Sequence, residues 1–105
     1  MCRTDMECLQ MIILNVTYQM KQGISPADFV NALEESGLAP FCRQEKGNHS
    51  YRYFYPADGG DQVLLLEKWD DEECLTAHTK TENFAKIGQV KNQYVETTEI
   101  KKYTE

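Results

Sequence analysis

The segment from Gln62 to Phe84, QVLLLEKWDDEECLTAHTKTENF, constrains the fold more than any other part of the chain. It opens with an apolar run and then alternates, which predicts a β-strand. Alternate strand residues point to opposite faces, so Val63, Leu65, Glu67 and Trp69 share one face. A carboxylate beside the only Trp would be costly in a plain core, because a buried charge needs a partner. We therefore expect one face of this strand to pack on helices and the other to line a cavity.

The residues after this strand have the pattern of two helices. Asp70 or Asp71 is a suitable N-cap for a first helix that extends to about His78. Thr81 or Asn83 can begin a second helix, whose apolar residues recur at helical spacing. This apolar stripe consists of Phe84, Ile87, Val90 and Tyr94.

The remaining sequence completes a six-element order. Strands are predicted at 9–20, 48–56 and 95–103, and the turn at 57–61 joins the second strand to the third. Ser25-Pro26 predicts the start of the first helix, and Gly37 and Pro40 should break it before a short second helix that carries Phe41 and Cys42 and ends near Gly47. The order β-α-β-β-α-β predicts an α+β fold of the ferredoxin-like type with an antiparallel sheet. We expect one domain at 9–105, preceded by a polar leader at 1–8.

Composition excludes several classes of function. The 105 residues carry a net charge of −6, which disfavours binding to nucleic acid or to an anionic membrane. The sequence contains neither an apolar run near the ~20 residues of a membrane span nor a signal peptide. The four Cys form no CxxC pair and match no common zinc pattern, so we expect reduced thiols, no metal and a cytoplasmic location.

Several motifs resemble the antibiotic biosynthesis monooxygenase family. The resemblance is carried by Glu67-Lys68-Trp69, Asp70-Asp71, Ala77-His78 and Phe84, and residues 47–51 are similar to the second strand of its quinol-monooxygenase members. It implies two subunits that pack sheet to sheet into a dimeric α/β barrel, each with its own pocket. The strand pattern agrees with a homodimer, because a sheet face carrying Ile13, Leu65 and Trp69 should not stand in water.

The resemblance also implies a reaction without a cofactor. The sequence has no dinucleotide fingerprint, phosphate loop or nucleophilic triad, so no flavin or nicotinamide site is expected. Cofactor-free members of the family use a quinol or similar small aromatic as its own reductant for O₂. Haem-degrading members have an iron-binding His about one helical turn after the position of Phe84. This chain reads Ala85-Lys86-Ile87-Gly88 there and has no His, so haem oxygenation is disfavoured. Two alternatives remain open: an isomerase of a small oxygenated metabolite and a non-catalytic ligand-binding dimer.

Seven residues are candidates for the site of such a reaction. His78, Glu67 and His49 are candidate bases, because each can accept a proton near neutral pH or after burial. Trp69 is a candidate wall for stacking, and Arg52 and Tyr51 could bind the substrate. Asn15 could orient a substrate hydroxyl: alternation puts it on the face of the first strand away from Val16, which we expect to match the face of Glu67 and Trp69. Each candidate also has a purely structural explanation. Trp69 could belong to the core or to an interface, the His residues and Asn15 could be hydrogen-bonded within the fold, and Tyr51 could be packed. Glu67 could form an ion pair with Arg52. The sequence leaves open which face of the second strand lines the pocket.

Overall fold

A computed structural model describes residues 10–105 as one antiparallel sheet with helices against one face. The elements in chain order are β1 (Ile12–Met20), α1 (Pro26–Glu35), α2 (Leu38–Arg43), β2 (Asn48–Phe54), β3 (Gln62–Trp69), α3 (Glu72–Thr79), α4 (Glu82–Tyr94) and β4 (Val95–Thr104). The strand order is β2-β3-β1-β4, and every neighbouring pair is antiparallel. The predicted ferredoxin-like α+β fold is confirmed. The leader expected at 1–8 and the predicted start of β1 at Leu9 lie outside the described residues.

The helices begin at the residues that the sequence indicates. The side chains of Ser25, Asp71 and Thr81 accept hydrogen bonds from backbone N–H groups at the starts of α1, α3 and α4. These bonds satisfy donors that have no partner inside the helix. Gly37 adopts a φ of +85° between α1 and α2, a conformation that costs little only for glycine. The chain therefore turns there, and Pro40 lies within the first turn of α2, where its missing N–H is tolerated.

The core lies between the helices and one face of the sheet. Alternate residues of β1 are buried from Ile12 to Met20, and β3 buries Val63, Leu65, Glu67 and Trp69 in the same way. Pairing of Leu14 with Glu67 and of Ile12 with Trp69 puts these residues of the two strands on the same, helix-covered face. Phe29 and Leu33 of α1 belong to the same core and are almost completely buried, and the Phe29 ring meets the ring of Tyr18.

The register corrects the prediction about the second sheet face. Leu65 and Trp69 were expected on the face away from the helices, but both lie under the helices and are fully buried. The face away from the helices carries Ile13, Leu64 and Leu66, which are half-buried, and the more exposed Phe54 and Tyr103. That face therefore carries several apolar residues, although a different set, and polar residues such as Asn15, Arg52 and Lys68 lie among them.

Two further features bear on the expectations from composition. Cys42 and Cys74 are both free thiols, and Cys2 and Cys8 lie outside the described residues. Within residues 10–105, no helix has the length and apolar character needed to cross a bilayer.

Candidate active site

A cavity of about 200 Å³ lies between the sheet and helices α3 and α4. Its apolar walls come from β1, β4 and both helices, and include Leu14, Val16, Leu75, Phe84, Ile87 and Ile100. Its polar wall consists of Tyr18, Tyr51, Glu67, His78, Thr79, Lys91 and Thr98. An apolar cavity of about 150 Å³ can hold benzene, so this one has room for a single substituted ring. Few polar groups in an apolar cleft are typical of a small-molecule site.

His78 is the polar group of the cavity that is best held in place. It lies near the end of α3, is only 4% exposed, and its Nδ1 is 2.7 and 2.9 Å from the two carboxylate oxygens of Glu45. Glu45 follows α2, so the contact joins two separate parts of the chain. A carboxylate can only accept, so Nδ1 carries the hydrogen. In the neutral ring, Nε2 is then an acceptor, and no other group of residues 10–105 donates a hydrogen bond to it.

Glu67 and Trp69 form a second buried pair directly beside His78. The indole Nε1 of Trp69 donates to Oε1 of Glu67 at 3.0 Å, and the indole ring lies 4.6 Å from the imidazole of His78 between centroids. Burial raises the pKa of Glu67 above the ordinary value, while the Trp69 hydrogen bond and the nearby His78 oppose this shift. Trp69 thus contacts both Glu67 and His78 without lining the cavity itself.

The tyrosines of the cavity supply hydroxyl groups that stay protonated. Burial raises the pKa of Tyr18 and of Tyr51, and the negative charge of Glu67 adds to both shifts. Tyr51 pairs directly with Glu67 across β2 and β3, which answers the question left open about the second strand. The face of β2 that carries Tyr51 and Tyr53 is the one under the helices.

Three predicted site residues lie away from the cavity. Asn15 was expected on the face of Glu67 and Trp69, but it pairs with Leu66 and lies on the opposite face, so that expectation is wrong. Arg52 also pairs with Leu66 from the other side, and its guanidinium lies over the ring of Phe54. It therefore makes no ion pair with Glu67.

His49 is the third of these residues. A β-bulge between Asn48 and Ser50 removes it from the strand ladder, and its ring contacts the carboxylate of Asp70. Its side chain is 44% exposed, at the edge of the sheet.

Trp69 was expected to form the aromatic wall of the cavity, but a different residue lies there. Trp69 is fully buried behind His78 and does not line the cavity. Phe84 of α4 lines it instead, is 40% exposed, and meets the His78 ring edge to face at 5.1 Å. The helical stripe of α4 gave the signal for Phe84, but sequence reasoning assigned the residue only to packing.

Glu45 and Lys91 are polar residues near the cavity that sequence reasoning missed. Glu45 lies in an irregular segment after α2, where no periodic pattern indicates the direction of its side chain. Lys91 could have been noticed, because it follows Phe84, Ile87 and Gly88 at the i, i+3, i+4, i+7 spacing of one helix face.

One cluster could hold a metal ion. The possible donor atoms of Cys42, Glu45 and His78 lie within 4.8 Å of one another. Burial raises the pKa of the Cys42 thiol to about 12, which disfavours the thiolate that a metal requires. A metal would also have to displace the hydrogen bond between Glu45 and His78. The cluster therefore fits a hydrogen-bonded pair better than a metal centre.

The sequence profile described as antibiotic biosynthesis monooxygenase matches residues 11–89, most of the chain. The chain belongs to this family. It is similar to YcnE of Bacillus subtilis (strain 168), with 33% identity over 51 residues, 49% of this chain and 54% of YcnE. The match therefore spans about half the length of that curated relative.

Solved structures share the fold along nearly the whole chain. A conserved protein from Bacteroides thetaiotaomicron, described as a possible oxidoreductase, has 26% identity and a TM-score of 0.79 over 92% of this chain and 99% of its own. SnoaB, described as a cofactor-independent oxygenase from Streptomyces nogalater, has 14% identity and a TM-score of 0.78 over 91% and 93%.

Proposed function

We propose that this protein is a cofactor-independent monooxygenase that oxidises a quinol or similar small aromatic with O₂. The observation that carries the proposal is the Glu45–His78 pair at the wall of an apolar cavity sized for one ring. A fixed imidazole with a free acceptor nitrogen is suited to take a proton from a phenolic hydroxyl. Membership of the family and the shared fold with SnoaB support the same class of reaction.

The reaction can be written with the substrate as the only reductant. Nε2 of His78 takes the hydroxyl proton of a quinol, and Glu45 stabilises the imidazolium through Nδ1. The substrate anion passes one electron to O₂, and the resulting radicals join as a peroxide on a ring carbon. The O–O bond then breaks: the ring carbon loses its proton to the outer oxygen, which leaves as hydroxide, and the inner oxygen becomes a carbonyl. The hydroxide takes the proton from His78, so quinol and O₂ become hydroxyquinone and water.

Other residues of the site assist without exchanging this proton. Phe84 and the aliphatic wall contact the ring and exclude water, which strengthens electrostatic interactions with the anion. Tyr51 and Tyr18 supply hydroxyl donors to substrate oxygens. Trp69 and Glu45 are positioning residues, because they act through Glu67 and His78.

The isomerase alternative has less support, because within residues 10–105 a sugar phosphate would meet the single lysine Lys91 at the cavity and not a cluster of basic residues. Arg43 and Arg52 are two further basic residues that such a cluster could have used. Arg43 is paired with Glu34, and Arg52 lies on the other face of the sheet. The non-catalytic binding protein remains the alternative if no turnover is found.

Two further parts of the proposal concern assembly and location. We expect a homodimer formed through the apolar sheet face away from the helices, and a cytoplasmic location in which the thiols stay reduced. The acidic net charge of −6 fits a protein that binds neither nucleic acid nor anionic membranes.

The test is oxygen consumption with a quinol in the presence of a chelator. His78→Ala should lower turnover by ~10²–10⁴-fold, the usual contribution of a general base. His49→Ala is the matched control, because it removes an exposed imidazole remote from the cavity and should keep the wild-type rate. Thermal melts of both variants, together with His78→Gln, separate lost chemistry from lost folding. A wild-type rate equal to uncatalysed autoxidation, or a fully active and folded His78→Ala, contradicts the proposal.

A further inference from the structure

Lys91 brings a positive charge to an otherwise mainly apolar cavity. It lies on α4, is half-buried, and its Nζ is 5.4 Å from the centroid of the Tyr18 ring. A cation at this distance from an aromatic face is attracted to it, but the ring does not neutralise the charge. Burial lowers the pKa of Lys91, and the negative charge of Glu67 opposes that shift. The ammonium is thus partly stripped of water without a close counter-ion.

Several other basic side chains have polar partners outside the cavity. Within residues 10–105, Lys91 has no carboxylate oxygen within 4.0 Å, whereas Arg43, Lys86 and Lys102 each form an ion pair with a glutamate. Lys21 donates to the backbone oxygen of Asn92. Of the described residues that line the cavity, Lys91 is the one with a basic side chain other than His78.

We propose that Lys91 is the anion receptor of this cavity, and that it selects aromatic substrates whose phenolic hydroxyl ionises within the site. The inference rests on the proposed function and adds the residue that sets substrate class. The substrate ring would lie among Phe84, Ile87 and the aliphatic residues of the sheet, with its charged oxygen at Nζ. A phenolate gives the ammonium the partner that the protein does not supply.

The effect on the substrate follows from the low polarity of the cavity. An opposite charge within ~4–6 Å lowers the pKa of an acid by ~1–3 units when water is largely excluded. Lys91 would thus make the hydroxyl easier for His78 to deprotonate. The preference also sets a limit: an aromatic ether of the same size has no ionisable oxygen and should bind weakly.

The titratable groups that face the cavity come from both helices and from three of the four strands. Lys91 comes from α4, His78 from α3, Tyr18 from β1, Tyr51 from β2 and Glu67 from β3; β4 contributes Thr98 and Ile100. Glu67 is the group that opposes an anion. Burial raises its pKa, which keeps it protonated to higher pH, and the Trp69 N–H disperses its charge once it is ionised.

The experiment uses 4-nitrophenol, which ionises near neutral pH and whose anion absorbs visible light. Its pKa is measured free and bound to the full-length protein, without any turnover. We expect binding to lower the pKa of the probe by ~1–3 units. Lys91→Met should abolish the shift, and Lys91→Arg should retain part of it. Lys86→Met is the matched control, since it removes an exposed lysine from the same helix and should leave the shift unchanged.

The outcomes separate this inference from the proposed function. An unshifted or raised probe pKa, no binding of the probe, or a full shift in a folded Lys91→Met variant each overturns the role of Lys91. A shifted probe in a protein that consumes no oxygen with quinols supports the anion receptor and contradicts the monooxygenase. Oxygen consumption without a probe shift supports the monooxygenase and contradicts the anion receptor.

Discussion

Nδ1 of His78 contacts both carboxylate oxygens of Glu45, at 2.7 and 2.9 Å, across 33 positions of sequence. The contact links the segment after α2 to the end of α3, and both partners are largely buried. It fixes the ring orientation and keeps the hydrogen on Nδ1, so that Nε2 is the nitrogen available to a substrate. In the proposed reaction, the pair therefore makes Nε2 the atom that acts as the base.

Glu45→Gln should lower kcat while leaving KM nearly unchanged. A neutral amide no longer stabilises the imidazolium and can instead donate to Nδ1, which would move the hydrogen to Nε2 and remove the acceptor. The loss should be smaller than the ~10²–10⁴-fold expected for removal of the base itself. Steady-state oxygen uptake with a quinol measures both constants. Glu45→Asp should restore part of the rate, and exposed Glu35→Gln is the control. Equal rates in Glu45→Gln and the control would exclude a positioning role.

Trp69→Phe should destabilise the fold mainly through Glu67. The substitution keeps most of the ring but removes the Nε1 donor 3.0 Å from the carboxylate, leaving a buried oxygen without that partner. Such an unsatisfied group costs ~1–3 kcal/mol. A double-mutant cycle in urea tests the origin of the loss, because Trp69→Phe should cost less in a Glu67→Leu background. Purely additive free energies would mean that the cost comes from packing alone.

Stability should depend on pH through Glu67 in a defined direction. Burial raises its pKa in the folded state above the ordinary 4.5, so the folded protein binds this proton more tightly than the unfolded chain. Its stabilising contribution is complete below that ordinary value and is lost as the pH rises through the folded pKa. Glu67→Gln removes this loss, so the variant should gain stability relative to wild type between acidic and neutral pH. Urea unfolding across this range measures the difference, with exposed Glu96→Gln as control. A pH-independent difference would contradict the effect of burial.

The strands and helix starts were predictable because they depend on local patterns. Alternation in β1 and β3 matches their buried faces, and the caps at Ser25 and Asp71 form as expected. The sequence also pointed to His78 and Glu67, which both line the cavity. A polar residue in an apolar pattern can be recognised within one segment. The Glu45–His78 contact was not predictable, because it depends on how two distant segments pack.

Asn15 shows why the faces of neighbouring strands could not be matched from sequence. Alternation correctly assigned Asn15 to the face of β1 away from Val16. It could not show which face of β1 and which face of β3 lie on the same side of the sheet. The register pairs Leu14 with Glu67, and this puts Asn15 on the other side of the sheet. A shift of one residue exchanges the two faces completely, so residue spacing within one strand cannot fix a site shared by two.

The apolar sheet face should hold two subunits together. Ile13, Leu64 and Leu66 are half-buried there, and Phe54 and Tyr103 are 39% and 48% exposed. Large apolar residues gathered on one accessible sheet face typically mark an interface, and polar residues such as Asn15 and Arg52 lie among them here. Light scattering after size exclusion should therefore give about twice the chain mass of 12.2 kDa. Leu66→Glu should produce monomers, because it puts a carboxylate at the centre of the face, and the neighbouring Arg52 offsets only part of the cost of removing that charge from water. Gln89→Glu adds the same charge on exposed α4 and should remain dimeric. A wild-type monomer at micromolar concentration would contradict the dimer, and a dimeric Leu66→Glu would assign the interface to another surface.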